Sequence, residues 1–354
     1  MRLQPSAKAC LRAGLPFHCD SGTQLRAFQD VCSRQYLSSE EFLQLVRCTP
    51  RQTSPTSPQV LNMSNELASP VTAGRRAEDT ALLIIELLGQ GMDSEAGSTA
   101  LSRMNYLHSR YGKLITRDDL LYTLSLFVFE PIDFIADYEW RPLSPLEAHA
   151  RYVFWREVGA RMGISDIPRT MADFRQWKEE YHKIATVYDP ENVKTADATV
   201  DVLLGPLPKF ARPFGQQASI VLLDDRVRTA FGWQRASPSL LYWLIPATLR
   251  LRALVVRYLL YPRTEPPAFL QSSPSTDGKT FVRKGFVFQP WYVSAGASRF
   301  GAVGYGKPGG ARWKSEGFQH VSLGPERLSE VGLDKTLQDA QTLRERAGVC
   351  PFFM

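Results

Sequence analysis

The sequence predicts an all-α fold. Three observations carry this. Helix-start signatures recur: Thr116 with Asp119, Ser144-Pro145 with Glu147, Thr170 with Asp173, and Asp189-Pro190 each put a capping oxygen ahead of a run with helical apolar spacing. Leu82–Leu88 and Leu120–Phe129 are almost wholly apolar and too short to cross a bilayer, which suits buried core helices. No alternating run is long enough to build a sheet.

Taken in order, residues 1–70 show no sustained period and are expected to form a poorly ordered extension. TPRQTSPTSP at 49–58 reads as a linker, and Ser38–Arg47 as a short helix at most. From Arg75 to Arg263 the signals are helical. The first helix carries Leu82–Leu88 and breaks at Gly89–Ser98. Helices follow at Thr99–Tyr111, Arg117–Phe129, from the Ser144 cap to about Met162, at Phe174–Ile184, from Asp189 to about Leu204, at Asp224–Phe231 and at Ser239–Tyr261. After Pro262 the chain turns rich in Gly, Pro and Ser, with scattered aromatics such as Phe286, Phe288, Trp291 and Tyr292. This reads as an irregular tail wrapping the helical domain, with one last helix at Pro325–Arg346. The expected organisation is an extension at 1–70, a helical domain at 71–267 and the tail at 268–354.

The 354 residues are 44% hydrophobic and 22% charged, enough for one large helical domain, and the net charge is +6. No Lys/Arg block stands out, so nucleic acid is not the expected partner; a weak attraction to anionic membrane surfaces is. Cys10, Cys19, Cys32, Cys48 and Cys350 form no CxxC pair, which argues for free thiols over a zinc site or a disulfide framework. The Asn62-Met63-Ser64 sequon carries little information. Met1–Leu15 is interrupted by Lys8, Arg12 and Gly14, so neither a signal peptide nor a span is expected there. Leu240–Tyr261 has the length of a span, but Arg250, Arg252 and Arg257 are expensive in hydrocarbon. It reads as an amphipathic helix in a membrane interface or a core helix with its arginines outward.

Several motifs are dismissed. The glycines from Gly304 to Gly310 follow no strand and are interrupted by Pro308, so they make a turn and not a phosphate loop. There is no G-x-S-x-G elbow, HExxH or Walker lysine. His18, His149, His182 and His320 lie in unrelated contexts; His149 and His182 read as solvated surface histidines.

Three residues remain. Arg76 and Thr80 stand four apart, on one face of a helix that is otherwise apolar. A buried guanidinium needs an anion, either a cofactor carboxylate or a neighbour such as Glu78, Asp79 or Glu86. His108 is the one histidine in the most apolar helical region. It is either a satisfied core histidine or an axial haem ligand. No Glu-x-x-His pair favours a di-iron bundle.

The runs RMNYLHSRYGK, DDLLYTLSLFVFEP, YEWRPLSPLEAHA and FWREVGARMGI, in that order, resemble the fungal branch of one oxygenase family. It unites ER-bound oxygenases of the mycophenolic acid type with the bacterial rubber oxygenases (latex clearing proteins). The likeness covers roughly Gly74–Pro267 and continues weakly through Pro290-Trp291-Tyr292-Val293. It implies an all-α domain around one haem b that uses dioxygen to cleave C=C bonds of isoprenoid-like substrates. His108 matches the family's iron ligand, and Arg76 and Thr80 match an arginine and threonine of its active site. Association with the endoplasmic reticulum membrane is implied too, a cytoplasmic location being the alternative. The pattern departs at Asp79, where rubber oxygenases carry lysine, and their upstream catalytic glutamate has no assigned counterpart, although Glu66 is nearby.

In this reading His108 holds iron, Arg76 and Thr80 line the haem pocket, and Leu83, Leu87, Met104, Leu107, Leu124 and Phe127 are candidates for its apolar wall. The rival is a helical membrane-surface binding protein that has lost haem. A metal-free hydrolase or lyase lacks a paired nucleophile and base.

Overall fold

The computed structural model describes residues 66, 69, 72–261, 271–275, 278, 280–286, 289–294 and 311–345. The expected linker, the helix at 38–47, the five cysteines, His18, the sequon and the glycine run at 304–310 lie outside them. Among the described residues are ten α-helices and one two-stranded sheet. The fold is all-α, as the capping pattern predicts.

Helix α1 spans Ala73–Gln90 and α2 spans Glu95–Ser109. The break between them is shorter than expected, because Ser94 caps α2 by accepting from Gly97 N–H at 2.9 Å. Gly97 has no substitute there: a Cβ would lie 2.0 Å from the Gly91 carbonyl oxygen. Helix α3, Arg117–Tyr138, starts at the Thr116–Asp119 capping box. It does not end at Phe129 as expected but continues through Pro131. The proline frees the Phe127 carbonyl, and Arg151 of the next helix donates its Nε–H to that oxygen at 2.9 Å.

Helix α4, Pro145–Arg161, opens with the Ser144–Glu147 box, and Arg141 grips Glu147 with two bonds of 2.8 and 2.9 Å. Helices α5 (Met171–Ala185) and α6 (Pro190–Leu204) start at the Thr170 and Asp189 caps. Helix α7, Arg212–Leu222, was not expected, because it begins amid Pro206, Pro208 and Pro213. Pro213 lies in its first turn, where a missing N–H costs nothing. Helices α8 (Asp225–Ala230) and α9 (Leu241–Leu259) follow. No helix of the described residues is long and apolar enough to cross a membrane.

Leu87, Met92, Leu101, Leu121, Val128, Phe129, Phe154 and Phe174 from α1 to α5 and the α1–α2 turn form the main core. Burial of each such side chain favours the fold by roughly 1.5–3 kcal/mol.

The tail is more fastened than its composition suggests. Strands β1 (Ser272–Pro274) and β2 (Phe281–Arg283) pair antiparallel, with Ser273 opposite Val282. They bridge onward to Phe318 and Val293. The last helix, α10, spans Leu333–Glu345, later than the expected Pro325 start because residues 326–328 form a separate 3₁₀ turn. Arg103 of α2 is fully buried and donates to the carbonyls of Leu323 (2.8 Å), Leu328 (2.6 Å) and Val331 (2.9 Å). Ser102 donates to the Thr336 carbonyl at 2.7 Å. One face of α2 therefore clamps the chain between 323 and 336.

Candidate functional site

Helix α1 has two polar faces with different jobs. Glu78, Asp79 and Glu86 are buried against the tail. Glu78 pairs with Arg283, Asp79 accepts from Tyr292 Oη at 2.6 Å, and Glu86 accepts from Ser272 Oγ at 2.9 Å. His320 lies 3.5 Å from Glu86, between the rings of Phe281 and Phe318. These carboxylates anchor structure. Arg76 stands one turn before Asp79, and Thr80 directly after it.

Arg76 is half-buried. Its Nε lies 3.4 Å from Glu66 Oε2, and its Nη1 donates to Asp79 Oδ2 at 3.4 Å. The ion pair with Asp79, one of the two readings of the sequence, is therefore formed. Thr80 donates its hydroxyl to the Arg76 carbonyl at 3.0 Å, an intrahelical bond that leaves its oxygen lone pairs available. Burial pushes the Asp79 carboxyl above its ordinary range, against the pull of Arg76.

His108 comes from α2, which packs directly on α1. The residue is half-buried, yet Nδ1 is shut off from solvent and no group bonds to it. Burial, with a further push from the Arg76 charge, lowers its pKa to about 4. At neutral pH it is a neutral imidazole with a free lone pair. Three residues earlier Asn105 has a buried, unpartnered Oδ1, while its amide donates to the Arg161 carbonyl at 3.0 Å.

Among the described residues no group of three or more His, Cys, Asp or Glu could form a metal cage. The donor set is one imidazole. That would suit a metal whose remaining ligands arrive with a macrocycle, so haem fits these residues and a protein-only cage of described residues does not.

The comparisons decide the family. The model for "ER-bound oxygenase mpaB/B'/Rubber oxygenase, catalytic domain" matches residues 68–256. The ER-bound oxygenase mpaB' of Penicillium brevicompactum is 31% identical over 331 residues, covering 84% of this chain and 76% of the relative. The ER-bound oxygenase mpaB of Penicillium roqueforti (strain FM164) is 38% identical over 191 residues, 50% of this chain and 64% of the relative. The mpaB of Penicillium brevicompactum is 30% identical over 260 residues, 68% and 58%. The chain belongs to the mpaB/rubber-oxygenase catalytic-domain family.

Its activity class is therefore that of an oxygenase, an oxidoreductase. The matched span holds α1 to most of α9, with Arg76, Thr80 and His108 inside it. For this oxygenase the structure brings Arg76 close enough to His108 to act on its protonation. It also brings in Glu66, whose segment has no periodicity to betray it. Asp79 faces Tyr292 and the Arg76 guanidinium, a role no local pattern signals. Of the six candidate wall residues, Leu83 and Leu107 pack with Tyr292, Phe318 and Leu323 of the tail. Leu87, Leu124, Met104 and Phe127 belong to the helical core. His182 is not a solvated surface group: Tyr122 Oη lies 2.6 Å from its Nδ1, which ties α3 to α5.

Proposed function

We propose that this oxygenase is haem b-dependent and cleaves a C=C bond in an isoprenoid-like hydrophobic substrate, using dioxygen. What supports the reading is His108 itself, on α2 against α1, with Nδ1 shut off from solvent and without a hydrogen-bond partner; burial also lowers its pKa, to about 4. His108 would hold the iron, and the bound haem would supply dioxygen activation.

The chain's own residues do the rest. The Arg76 charge beside His108 opposes its protonation, keeping the lone pair available to a metal. The same guanidinium offers N–H donors to a haem carboxylate or to a polar oxygen of the reacting substrate. The Thr80 oxygen is a second polar group four residues on. Glu66, beside Arg76 at 3.4 Å, would be the carboxylate to take up or deliver a proton.

The relatives are named as ER-bound oxygenases. For this chain we read a peripheral contact with that membrane through α9. Leu251, Leu254, Tyr258 and Leu259 are 62, 52, 68 and 72% exposed on it, with Arg250 and Arg257 beside them. The test is haemin titration of the purified chain, followed by dioxygen uptake and carbonyl product formation with an isoprenoid alkene. A Soret band with coupled uptake supports the reading. Its absence at saturating haemin returns the protein to the rival, a helical membrane-surface binding protein without haem.

A further inference from the structure

A cavity of about 380 Å³ lies where the end of α3 meets the first turns of α9. Its walls include Asp137, Tyr138, Tyr242, Trp243 and Arg250. It is an open depression at the surface, with Asp137, Tyr242, Trp243 and Arg250 exposed. Its contents are unusual for a packing defect: three aromatic rings, one acid and one arginine. Among the described residues neither Asp137 nor Arg250 makes an ion pair or hydrogen bond, with each other or with anything else, whereas neighbouring Glu139 and Arg252 are paired at 2.8 Å. The opposite charges in this cavity are uncommitted.

The lining carries one group of each charge. Asp137 and Tyr138 are the last two residues of α3, where unpaired carbonyls give the helix its negative pole. A cation there meets that pole, the Asp137 carboxylate and the faces of Tyr138, Tyr242 and Trp243. Aromatic faces with a single acid suit a quaternary ammonium group, which has no N–H to donate and binds through cation–π attraction. Arg250 offers the fork of donors that suits phosphate. A cation and a phosphate on one small ligand is the chemistry of phosphocholine.

The cavity's position says where such a ligand comes from. Trp243, Ala247 and Arg250 share one face of α9 by helical spacing, and the same face continues as Leu254 and Tyr258. Trp243, Leu254 and Tyr258 are 69, 52 and 68% exposed. The cavity therefore opens on the apolar, arginine-bearing stripe of the membrane contact read above. We propose that it is a docking site for the headgroup of a choline phospholipid in a bilayer, with Asp137 and the aromatic trio on the trimethylammonium and Arg250 on the phosphate. This inference rests on the membrane part of the proposed function and is independent of haem.

The test uses the full chain and two probes. One is soluble dihexanoylphosphatidylcholine below its micelle concentration, followed by Trp fluorescence and calorimetry. The other is flotation with vesicles of phosphatidylcholine, phosphatidylethanolamine or phosphatidylglycerol. Choline vesicles should be preferred over ethanolamine vesicles by about three- to thirtyfold, the range that one desolvating cation–π cage gives. Trp243→Ala and Asp137→Asn should erase that preference, and Trp243→Phe should keep most of it. Arg250→Gln should weaken both lipids alike. Far-UV circular dichroism checks that each variant keeps its helices. Equal binding of choline and ethanolamine vesicles by the parent chain would overturn the proposal. So would binding only to phosphatidylglycerol that salt abolishes, the mark of surface arginines alone. Binding of the soluble lipid without recruitment to any vesicle would keep the headgroup site and overturn the membrane orientation instead.

Discussion

Tyr292 donates its hydroxyl to Asp79 at 2.6 Å, which ties the segment after β2 to the same carboxylate that holds Arg76. Tyr292 accepts a left-handed backbone, φ 62°, to do so. A bulky residue in that region costs on the order of 1–2 kcal/mol, so the surrounding contacts must outweigh it. The site helix and the tail are thus one structural unit at this point.

Removing the bond should be felt in stability. Tyr292→Phe leaves a buried carboxylate short of its best donor, a loss of about 1–3 kcal/mol. The check is the urea midpoint, with Tyr258→Phe on an exposed ring as the control expected to change nothing. Equal midpoints for Tyr292→Phe and the parent would show the bond to be dispensable.

Arg103 should matter more. Its three carbonyl partners have no replacement if the guanidinium goes, and each acceptor left buried and unpaired costs about 1–3 kcal/mol. Arg103→Met is expected to lose that much and to open the chain between 323 and 331 to proteases. Arg103→Lys should recover only part, since one ammonium cannot span three oxygens in a fixed fork. An unchanged cleavage pattern in Arg103→Met would mean the tail is held elsewhere.

Capping chemistry was readable in the sequence because it is local. Thr116, Ser144, Thr170 and Asp189 all accept from their helix N-termini as their spacing implies. What escaped reading depends on partners far along the chain. Helix α3 passes Pro131 only because Arg151, 24 residues after Phe127, takes the freed carbonyl. Arg103 stood inside a motif with no sign that it would bind carbonyls 220 residues later. Arg76, Thr80 and His108 stood out in the sequence as candidates by spacing and apolar context, whereas the contact of Glu66 with Arg76 did not, since no period connects it to α1.

The pH dependence of stability follows from His108. Its folded pKa, about 4, lies below the unfolded value near 6.5. Between those values the unfolded chain binds the extra proton, so stability of the haem-free protein falls as pH drops through that window. Above it His108 contributes no slope. The loss between pH 7 and pH 5 should be roughly 2 kcal/mol, measured as the difference in urea midpoints between the parent and His108→Phe. A parent slope no steeper than that of His108→Phe would contradict a depressed pKa.

For catalysis, Arg76→Ala and Thr80→Ala should leave iron bound, or weaken it modestly. Alkene cleavage should drop about 10- to 1000-fold, the range for losing one preorganised polar group. Glu66→Gln removes a titratable group while keeping the shape, so it should cut turnover and change the pH–rate profile. Wild-type turnover in all three would make these side chains structural.

The most direct test is the absorption spectrum of haemin-titrated His108→Ala beside His149→Ala and His182→Ala. The account predicts a Soret band in the parent and in the His149 and His182 variants, and its loss in His108→Ala. Full haem occupancy in His108→Ala, with an unchanged Soret maximum, would contradict the assignment of His108 as the iron ligand.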